Sequence, residues 1–395
     1  MTVRKGREFL AIPGPTTVPD EVLNAAHRPA VDIYEGDLVD VTQSCLADLR
    51  KVFRTEGRSY IYAANGHGAW EAALTNVLSR GDKVLVLASG LFGPAWGEMA
   101  KMLDIEVEHL GGDWRRAIDP DAVEARLRAD REGKIKAVLV VQVDTASSIV
   151  NDISAIGQAI RNAGSGALFM VDAIASLATM PFEMDAWGVD VAVTGSQKGL
   201  MMPPGLSFVA AGERARSAHQ TANLRTQYWD WTFRDGPVHY HKYCGTPPEH
   251  QLFAMRKALD LLLGEGLENA IERHRILAAA VHAAVQRWAE AGALEFNVAA
   301  PGDRARSVTT VLVNGGRDPE SIRAYCREKC GVVIGVTIGD LDGRGFRIAH
   351  MGHVNAPMIL GTLGVVETSL NALAIPHGRG GVQAAIDVLA DSVLP

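Results

Sequence analysis

Short apolar segments alternate with helical patterns along the first two-thirds of this sequence, and no other feature limits the possible folds as strongly. The predicted strands are residues 59–63, 83–88, 106–110, 137–143, 167–171, 190–194 and 206–210. The helical patterns between them include residues 69–78, 95–103, 121–129 and 153–162. Alternation at this spacing predicts a mostly parallel sheet that is covered by helices on both faces. Ligands of such sheets bind at the carboxyl ends of the strands.

The second half of the sequence is interrupted by the adjacent prolines Pro247 and Pro248, which fit neither a helix interior nor a central strand. Two long helical patterns follow, and then a mixture of strands and helices. A chain of 395 residues is too long for one small core. We therefore predict an α/β fold with an N-terminal segment (1–20), a large mostly parallel-sheet domain (21–275) and a smaller C-terminal α+β domain (276–395).

The composition, with 47% apolar and 22% charged residues, is that of an ordinary globular enzyme. The formal net charge of −7 argues against a nucleic-acid partner. The four cysteines lack the spacing of a zinc site or a disulfide framework, so we expect buried thiols, no metal and a reducing, cytoplasmic location. No apolar stretch reaches the roughly 18 residues of a membrane helix, and we expect no membrane span.

Lys198, in the segment Gly-Ser-Gln-Lys-Gly-Leu, and Asp172, at the end of the apolar run 167–172, form the most informative pair of residues. Alone, a lysine after a strand is usually solvated, and an aspartate at a strand end is often a helix cap. Together, a carboxylate that ends one buried strand and a lysine just after the next suit pyridoxal phosphate chemistry. The lysine forms a Schiff base with this cofactor, and the acid keeps its pyridine nitrogen protonated. We therefore predict pyridoxal 5'-phosphate as the cofactor.

The turn formed by Asn65, Gly66, His67 and Gly68 follows a predicted strand and opens a predicted helix. Glycines allow the backbone to approach an anion, and free amides at a helix N-terminus attract phosphate. An ordinary strand–helix turn is the alternative interpretation. The turn lacks the glycine spacing of a dinucleotide fingerprint and the lysine of a P-loop, so we do not expect a nucleotide site.

Three further side chains lie where a ligand would be held. Phe92 follows a predicted strand, where its ring could stack on a planar cofactor or simply join the core. Thr145 offers a hydroxyl after another strand, where it could also cap a helix. Arg347 interrupts an apolar strand, and its planar fork fits a carboxylate. A structural ion pair is the alternative for this arginine.

Several of these residues stand in longer motifs. The motifs are Pro13-Gly14-Pro15-Thr16, Gly66-His67 before Trp70-Glu71-Ala72-Ala73, Val171-Asp172-Ala173, Gly195-Ser196-Gln197-Lys198-Gly199, Pro203-Pro204-Gly205 and Phe346-Arg347-Ile348. With them the chain resembles, nearly from end to end, the class V, fold-type I pyridoxal phosphate aminotransferases of the alanine–glyoxylate and serine–glyoxylate group. The resemblance implies ping-pong transfer of an amino group from a small amino acid, such as serine or alanine, to glyoxylate or pyruvate.

The resemblance also implies roles for individual residues. Lys198 would bind the cofactor and then move the α-proton of the substrate, while Asp172 pairs with the pyridine nitrogen. The other implied contacts are Phe92 with the ring face, Thr145 with the ring hydroxyl, Arg347 with the substrate carboxylate, and Asn65, Gly66, His67 and Gln197 with the phosphate. Tyr243 and Thr246 would reach the phosphate from the neighbouring subunit. Sites shared in this way imply a homodimer, or a tetramer built from two such dimers.

The sequence departs from the family pattern near the expected substrate. At the first departure, the usual Asp-His-Arg becomes Asp32-Ile33-Tyr34, and we assign Tyr34 to substrate binding. A tyrosine there is similar to pyridoxamine–pyruvate aminotransferase, which uses the free vitamin, and such an activity is one alternative. Gln197 and Tyr243 keep phosphate-binding side chains, so we expect a phosphorylated cofactor. The other departures are Ala146-Ser147-Ser148, the loop 335–339 and Ala349, and they leave the donor and acceptor open.

Two other classes of function are alternatives to amino transfer. A lyase of the cysteine-desulfurase type would need a cysteine on a mobile loop. Cys326 and Cys330 fall on a predicted helix instead, and Cys244 lies beside Tyr243. A cofactor-binding regulatory protein would ordinarily carry a DNA-binding segment, which we do not expect before Pro13.

Overall fold

The computed structural model describes residues 2–392, and in their first two-thirds strands alternate with helices. The labelled elements of this part are β1 (Phe9–Ala11), α1 (Asp20–Ala26), α2 (Asp37–Phe53), β2 (Arg58–Tyr62), α3 (Gly66–Val77), β3 (Lys83–Ala88), α4 (Phe92–Met102), β4 (Glu106–Gly111), α5 (Pro120–Ala129), β5 (Ile135–Val141), β6 (Val143–Asp144), β7 (Ile149–Val150), α6 (Ile153–Asn162), β8 (Leu168–Asp172), α7 (Met184–Trp187), β9 (Val191–Gly195), β10 (Ser207–Ala211), α8 (Glu213–His219), α9 (Trp231–Asp235) and α10 (Glu249–Glu265).

Seven of these strands form one sheet in the order β2-β10-β9-β8-β5-β3-β4. The pairs from β9 to β4 are parallel, and β10 is antiparallel to both of its neighbours. This arrangement confirms the predicted mostly parallel sheet. Its register aligns Asp172, the last residue of β8, with Val141 of β5 and Val193 of β9. Asp172 and the residues that follow β9 therefore lie at the same carboxyl edge.

The central strands are apolar on both faces because helices cover both. In β3, Leu85 and Leu87 belong to the core beneath α5, α6 and α10, whereas Val84 and Val86 pack on the other side with α3 and α4. Strands of a doubly covered parallel sheet read as continuous apolar runs rather than alternating ones. Burial of this kind stabilises the fold by roughly 1.5–3 kcal/mol for each large aliphatic side chain.

A smaller sheet and its helices complete the fold. The remaining elements are α11 (Leu267–Ala289), β11 (Leu294–Phe296), β12 (Val308–Val313), α12 (Pro319–Tyr325), β13 (Val332–Val336), β14 (Gly345–Ala349), α13 (Ala356–Ala372) and α14 (Gly381–Ser392). The sheet order is β1-β13-β14-β12-β11, so the N-terminal strand β1 joins it, parallel to β13. The other pairs are antiparallel, as expected for an α+β unit.

The predicted domain boundary at residues 275/276 falls within α11, and β1 of the predicted N-terminal segment belongs to the smaller sheet. The division into 1–20, 21–275 and 276–395 therefore stays a proposal about independent units. The helix predicted to carry Cys326 and Cys330 consists of α12, which ends at Tyr325, and a π turn over Cys326–Cys330. Within residues 2–392, none of the helices combines the length and apolar character needed to cross a membrane.

Candidate active site

A cavity of about 290 Å³ opens at the carboxyl edge of the large sheet. It brings together eight of the residues singled out in the sequence, which are Asn65, Gly66, His67, Phe92, Thr145, Asp172, Gln197 and Lys198. They end or follow five strands, β2, β3, β6, β8 and β9, which are distant from one another in sequence. The cavity is thus where a doubly covered parallel sheet is expected to bind a ligand.

Asp172 is buried in the wall of this cavity, and two donors hold its carboxylate. The indole Nε1 of Trp70 donates to Oδ2 at 2.8 Å, and the backbone N–H of Ile174 donates to Oδ1 at 2.7 Å. Burial raises the pKa of Asp172 to about 7, although both hydrogen bonds oppose that shift. A cationic nitrogen placed against this carboxylate would favour its ionised form.

Lys198 lies just beyond β9, and its partly buried side chain lines the same cavity as Asp172. Burial, with a smaller contribution from the charge of Arg347, lowers the pKa of Lys198 to about 8. Its ammonium group donates a hydrogen bond to the backbone carbonyl of Pro13. The hydroxyl of Thr16 donates to the carbonyl of Lys198 at 3.1 Å. The segment after β1 therefore contacts both the amine and the backbone of this lysine.

The turn at the start of α3 forms another wall of the cavity. The side chain of Asn65 caps the helix by accepting a hydrogen bond of 3.2 Å from the N–H of Gly68. The turn thus caps the helix, as in an ordinary strand–helix turn, and it also lines the cavity. A Cβ on Gly66 would lie 2.4 Å from Cδ1 of Ile174, so no larger residue fits there without movement. Across the cavity, Oε1 of Gln197 is buried and has no partner within the described chain.

Phe92 and Thr145 line the cavity rather than the core alone. The ring of Phe92 meets that of Trp70 edge to face, with centroids 6.3 Å apart. Thr145 lies in the turn between β6 and β7 and caps no helix in the part of the chain that is described. The geometry leaves a ring face and a hydroxyl available to a ligand.

Arg347 lies on β14 and is only 7% exposed. Its Nε donates to the carbonyl of Val336 at 2.6 Å and its Nη1 to the carbonyl of Thr145 at 2.7 Å. Among residues 2–392 it forms no salt bridge, so the alternative of a structural ion pair is not found. Burial lowers the pKa of Arg347 to about 10, which leaves it cationic at neutral pH. A buried cation without a carboxylate partner is a suitable site for an anionic ligand.

Arg347 bonds the lining residue Thr145 but is not itself part of the cavity lining. Three further residues from the sequence analysis also lie outside the cavity of this single chain. Tyr34 is 69% exposed, and its ring stacks on Tyr240 at 6.5 Å. Tyr243 is buried, and its hydroxyl is 2.8 Å from Oγ1 of Thr42 in the same chain. Thr246 is exposed. Their roles in substrate and phosphate binding stay predictions that require a second chain or a rearranged loop.

Sequence reasoning missed two residues that shape the cavity. Trp70 was visible only as part of a motif, yet it is the side chain that bonds Asp172. Asp144 adjoins the loop that was considered for its hydroxyls, and its buried carboxylate accepts bonds from backbone amides. Asp144, like Asp172, is an aspartate at the end of an apolar strand, and this pattern could have identified both residues.

Comparison with known proteins agrees with this geometry. The family described as Aminotransferase class-V matches residues 14–340. A serine–glyoxylate aminotransferase of Methylorubrum extorquens is 36% identical over an alignment that covers 100% of this chain and 98% of that protein. An L-aspartate–glyoxylate aminotransferase of Paracoccus denitrificans is 34% identical, with 95% and 94% covered. The crystal structure of pyridoxamine–pyruvate aminotransferase from Mesorhizobium loti has a TM-score of 0.90 at 27% identity and is covered, like this chain, over 100% of its length.

Proposed function

The chain belongs to the class-V aminotransferases, and on that premise we propose that it transfers the amino group of a small amino acid to glyoxylate or pyruvate, with pyridoxal 5'-phosphate as cofactor. One observation carries the proposal. Lys198 and Asp172 line one cavity at the carboxyl ends of adjacent strands, which is the arrangement this chemistry requires. The relatives that carry glyoxylate in their names support the choice of acceptor.

The residues of the cavity suit this cofactor. Gly66, the first residue of α3, and Gln197 both line the cavity, and the side-chain amide of Gln197 has an N–H₂ group that can donate to a phosphate oxygen. Amides at a helix N-terminus and a buried side-chain amide together suit a phosphate group. Asn65 and His67 flank the same space. When bound there, pyridoxal phosphate supplies an electron sink that stabilises negative charge at the α-carbon of the substrate.

Asp172 and Phe92 would hold the cofactor ring. The carboxylate of Asp172, already fixed by Trp70 and Ile174, is placed to accept a hydrogen bond from a protonated ring nitrogen. That charge pair would lower the raised pKa of Asp172 and keep both groups ionised. The ring of Phe92 supplies an apolar face for stacking, and the hydroxyl of Thr145 offers a bond to a polar ring substituent.

Lys198 can act as both nucleophile and base. A lysine reacts with an aldehyde only as the free amine, and a pKa of about 8 leaves a useful fraction of Lys198 neutral near physiological pH. The amine released during the reaction can carry a proton to and from the α-carbon, a role typically worth ~10²–10⁴-fold in rate. Both roles depend on the burial that lowers its pKa.

Arg347 is the group that we assign to the substrate carboxylate. Two backbone carbonyls fix its guanidinium plane, and no acidic side chain of the described residues competes for it. The basic side chains of the cavity lining are Lys198 and His67, and both are assigned to the cofactor. The lining therefore offers no further cation to a second, side-chain carboxylate of the donor. We therefore expect a donor with a neutral side chain, such as serine or alanine.

Absorbance of the purified, cofactor-loaded protein tests this function. Addition of single amino acids should move the visible band of the bound cofactor toward the near ultraviolet with one or a few donors. Glyoxylate or pyruvate should then restore the band, as the two half-reactions of a ping-pong mechanism require. A band that responds to no amino acid would overturn the proposed activity, and failure to take up pyridoxal phosphate would overturn the assignment of Lys198.

A pyridoxamine–pyruvate activity is the second candidate, and the TM-score of 0.90 with that enzyme favours it. The helix N-terminus at Gly66 and the side-chain amide of Gln197, both in the cavity lining, favour a retained phosphorylated cofactor instead. The two functions differ in their donor. Turnover of free pyridoxamine with pyruvate, in protein that lacks bound pyridoxal phosphate, would identify the second candidate.

A desulfurase-type lyase has no support from the cysteines. None of the four lines the cavity, and Cys326 is buried in the smaller domain, where burial raises its pKa to about 11. Such a thiol stays protonated and is a poor nucleophile. We further propose a homodimer, because Tyr243 and Thr246 lie outside the cavity of their own chain and could contribute to that of a second copy. A cytoplasmic location is part of the same proposal, and the four free cysteines support it.

A further inference from the structure

Asp144, at the end of β6, has a fully buried carboxylate to which the function proposed above gives no part. Three backbone N–H groups donate to it. Oδ2 accepts from Phe92 at 2.7 Å, and Oδ1 accepts from Ala146 at 2.9 Å and from Ser147 at 3.2 Å. Burial raises the pKa of Asp144, and these bonds, in which both oxygens only accept, oppose that shift and favour the ionised carboxylate. One side chain thereby joins the start of α4 to the turn after β6.

These bonds fix the two segments that carry ligand-facing side chains. Phe92 is the first residue of α4, so the bond to its N–H sets the point from which its ring enters the cavity. Thr145 stands between Asp144 and the two turn amides that Asp144 binds. Its hydroxyl position therefore depends on the same carboxylate.

The turn also connects Asp144 to Arg347. The carbonyl of Thr145 accepts the bond from Nη1 of Arg347, so the carboxylate that orders the turn also orders this acceptor. Burial lowers the pKa of Arg347, and the negative charge of Asp144 opposes that shift. Because Arg347 forms no salt bridge within residues 2–392, this longer-range attraction helps to offset its desolvation.

The space around Asp144 is matched to the carboxylate. A Cβ on Gly90 would lie 2.3 Å from Cγ of Asp144 and 2.5 Å and 2.6 Å from its two oxygens. Contacts this short cannot be tolerated without displacing one of the two groups. Glycine at position 90 is therefore required while the carboxylate occupies its present place.

We propose that Asp144 is a positioning residue, which holds the Phe92 ring, the Thr145 hydroxyl and the Arg347 guanidinium in one arrangement that receives both the cofactor and the substrate carboxylate. This inference rests on the proposed function, since it concerns the same cavity. It assigns Asp144 no contact with either ligand.

The test compares Asp144→Asn with Asp190→Asn in full-length protein. The asparagine at 144 keeps the size of the side chain but turns an N–H donor toward at least one backbone N–H. Asp190 is a matched control, because it is also buried and also accepts a backbone N–H, from Phe169 at 2.8 Å, but it precedes β9 at the opposite edge of the sheet.

Four quantities are measured for each variant. They are the Kd for pyridoxal phosphate by equilibrium dialysis, the circular dichroism of the bound cofactor's absorption band per mole bound, and the KM and kcat for the amino donor. We expect Asp144→Asn to raise the Kd about ten- to hundredfold, as for the loss of bonds to a charged group. The dichroism should weaken and KM should rise, because the ring wall and the guanidinium are displaced.

Asp190→Asn should leave the cofactor dichroism and KM unchanged. Equal losses in both variants, or wild-type values for Asp144→Asn, would overturn the inference. If Asp144→Asn does not fold, Gly90→Ala is measured instead, since it displaces the carboxylate without removing it, and wild-type cofactor dichroism in that variant would also overturn the inference. Wild-type protein that takes up no pyridoxal phosphate would overturn the proposed function itself, and so the two failures are distinguishable.

Discussion

Trp70 and Asp172, which are 102 residues apart in sequence, are joined by a hydrogen bond of 2.8 Å between the indole Nε1 and Oδ2 of the carboxylate. The bond favours the ionised form of Asp172 and opposes the rise of its pKa on burial. The indole therefore tunes the one acid that faces the ring nitrogen in the proposed reaction.

Trp70→Phe should raise the pKa of Asp172 further, because burial then acts with one donor fewer. The acidic limb of the pH profile of kcat should move to higher pH, and kcat near neutral pH should fall about tenfold or more. The pH dependence of turnover measures both changes. Trp96→Phe is the control, since Trp96 stacks on Trp70 at 5.8 Å but its own Nε1 has no partner within the described chain. An identical profile for the two variants would refute the tuning role.

Gly14→Ala should impair uptake of pyridoxal phosphate. Gly14 has a φ of +111°, and a Cβ there would lie 2.5 Å from Nζ of Lys198 and 2.7 Å from its Cε. The lysine would have to move away from the position in which it reacts. Gly6→Ala is a matched control because Gly6 also has a positive φ, +139°, but has open space around it. We expect slower and weaker cofactor uptake in the first variant only, as followed by visible absorbance.

Arg347→Ala should raise KM for an α-amino acid donor about ten- to hundredfold, the range expected for loss of a charged hydrogen-bond donor. The affinity for pyridoxal phosphate should change less, because Arg347 is assigned to the substrate carboxylate. Arg344→Ala, an exposed position three residues away on the chain, should behave as wild type. Steady-state kinetics with one donor decide the matter, and an unchanged KM for Arg347→Ala would contradict the assignment.

Acid should destabilise the protein through histidines that are buried without charge. Burial lowers the pKa of His274, His282 and His350 from 6.5 to about 3. Between these two values the unfolded chain binds more protons than the folded one. The free energy of unfolding therefore falls as pH falls from 6.5 toward 3, by about 1.4 kcal/mol per pH unit for each histidine.

His274→Gln should remove one such contribution. His274 accepts a bond of 2.9 Å from the N–H of Gly352, and the glutamine oxygen can accept in its place. Urea unfolding at a series of pH values below 6.5 should give a slope that is shallower by about 1.4 kcal/mol per pH unit. His27→Gln, at an exposed position, is the control, and equal slopes for the two variants would show that His274 does not govern the acid sensitivity.

Mixed dimers test whether Tyr243 acts across a subunit interface. Lys198→Ala and Tyr243→Phe should each be impaired when alone. In a mixed dimer, one site would combine Lys198 of one subunit with Tyr243 of the other, so unfolding and refolding a mixture should restore up to about a quarter of the wild-type sites. Activity equal to the mean of the separate variants would mean that Tyr243 does not serve a neighbouring site.

The sequence predicted Asp172 and Lys198 correctly as neighbours because both follow from one rule, the shared edge at which parallel strands end. The same rule placed Phe92, Thr145 and the turn at Gly66 around one cavity. It required only that the strands be recognised, and their apolar runs are unmistakable.

Other hydrogen bonds of the site depend on how the helices are oriented against the sheet, which no local sequence pattern encodes. The bond between Trp70 and Asp172 depends on how α3 lies across the sheet, and the bonds of Asp144 depend on the entry of α4. Tyr34 and Tyr243 illustrate a different limit. A family motif gives their expected roles, but those roles require loop positions or a second chain, and the single chain leaves both outside the cavity.

The N-terminal segment connects the smaller sheet to the active-site cavity. β1 is held in the smaller sheet by β13, and within a few residues the chain reaches Lys198, where Pro13 accepts from the amine and Thr16 donates to the carbonyl. A rotation of one sheet against the other would move the segment between β1 and Thr16. Because Pro13 bonds the amine of Lys198, such a rotation would also displace the reactive amine.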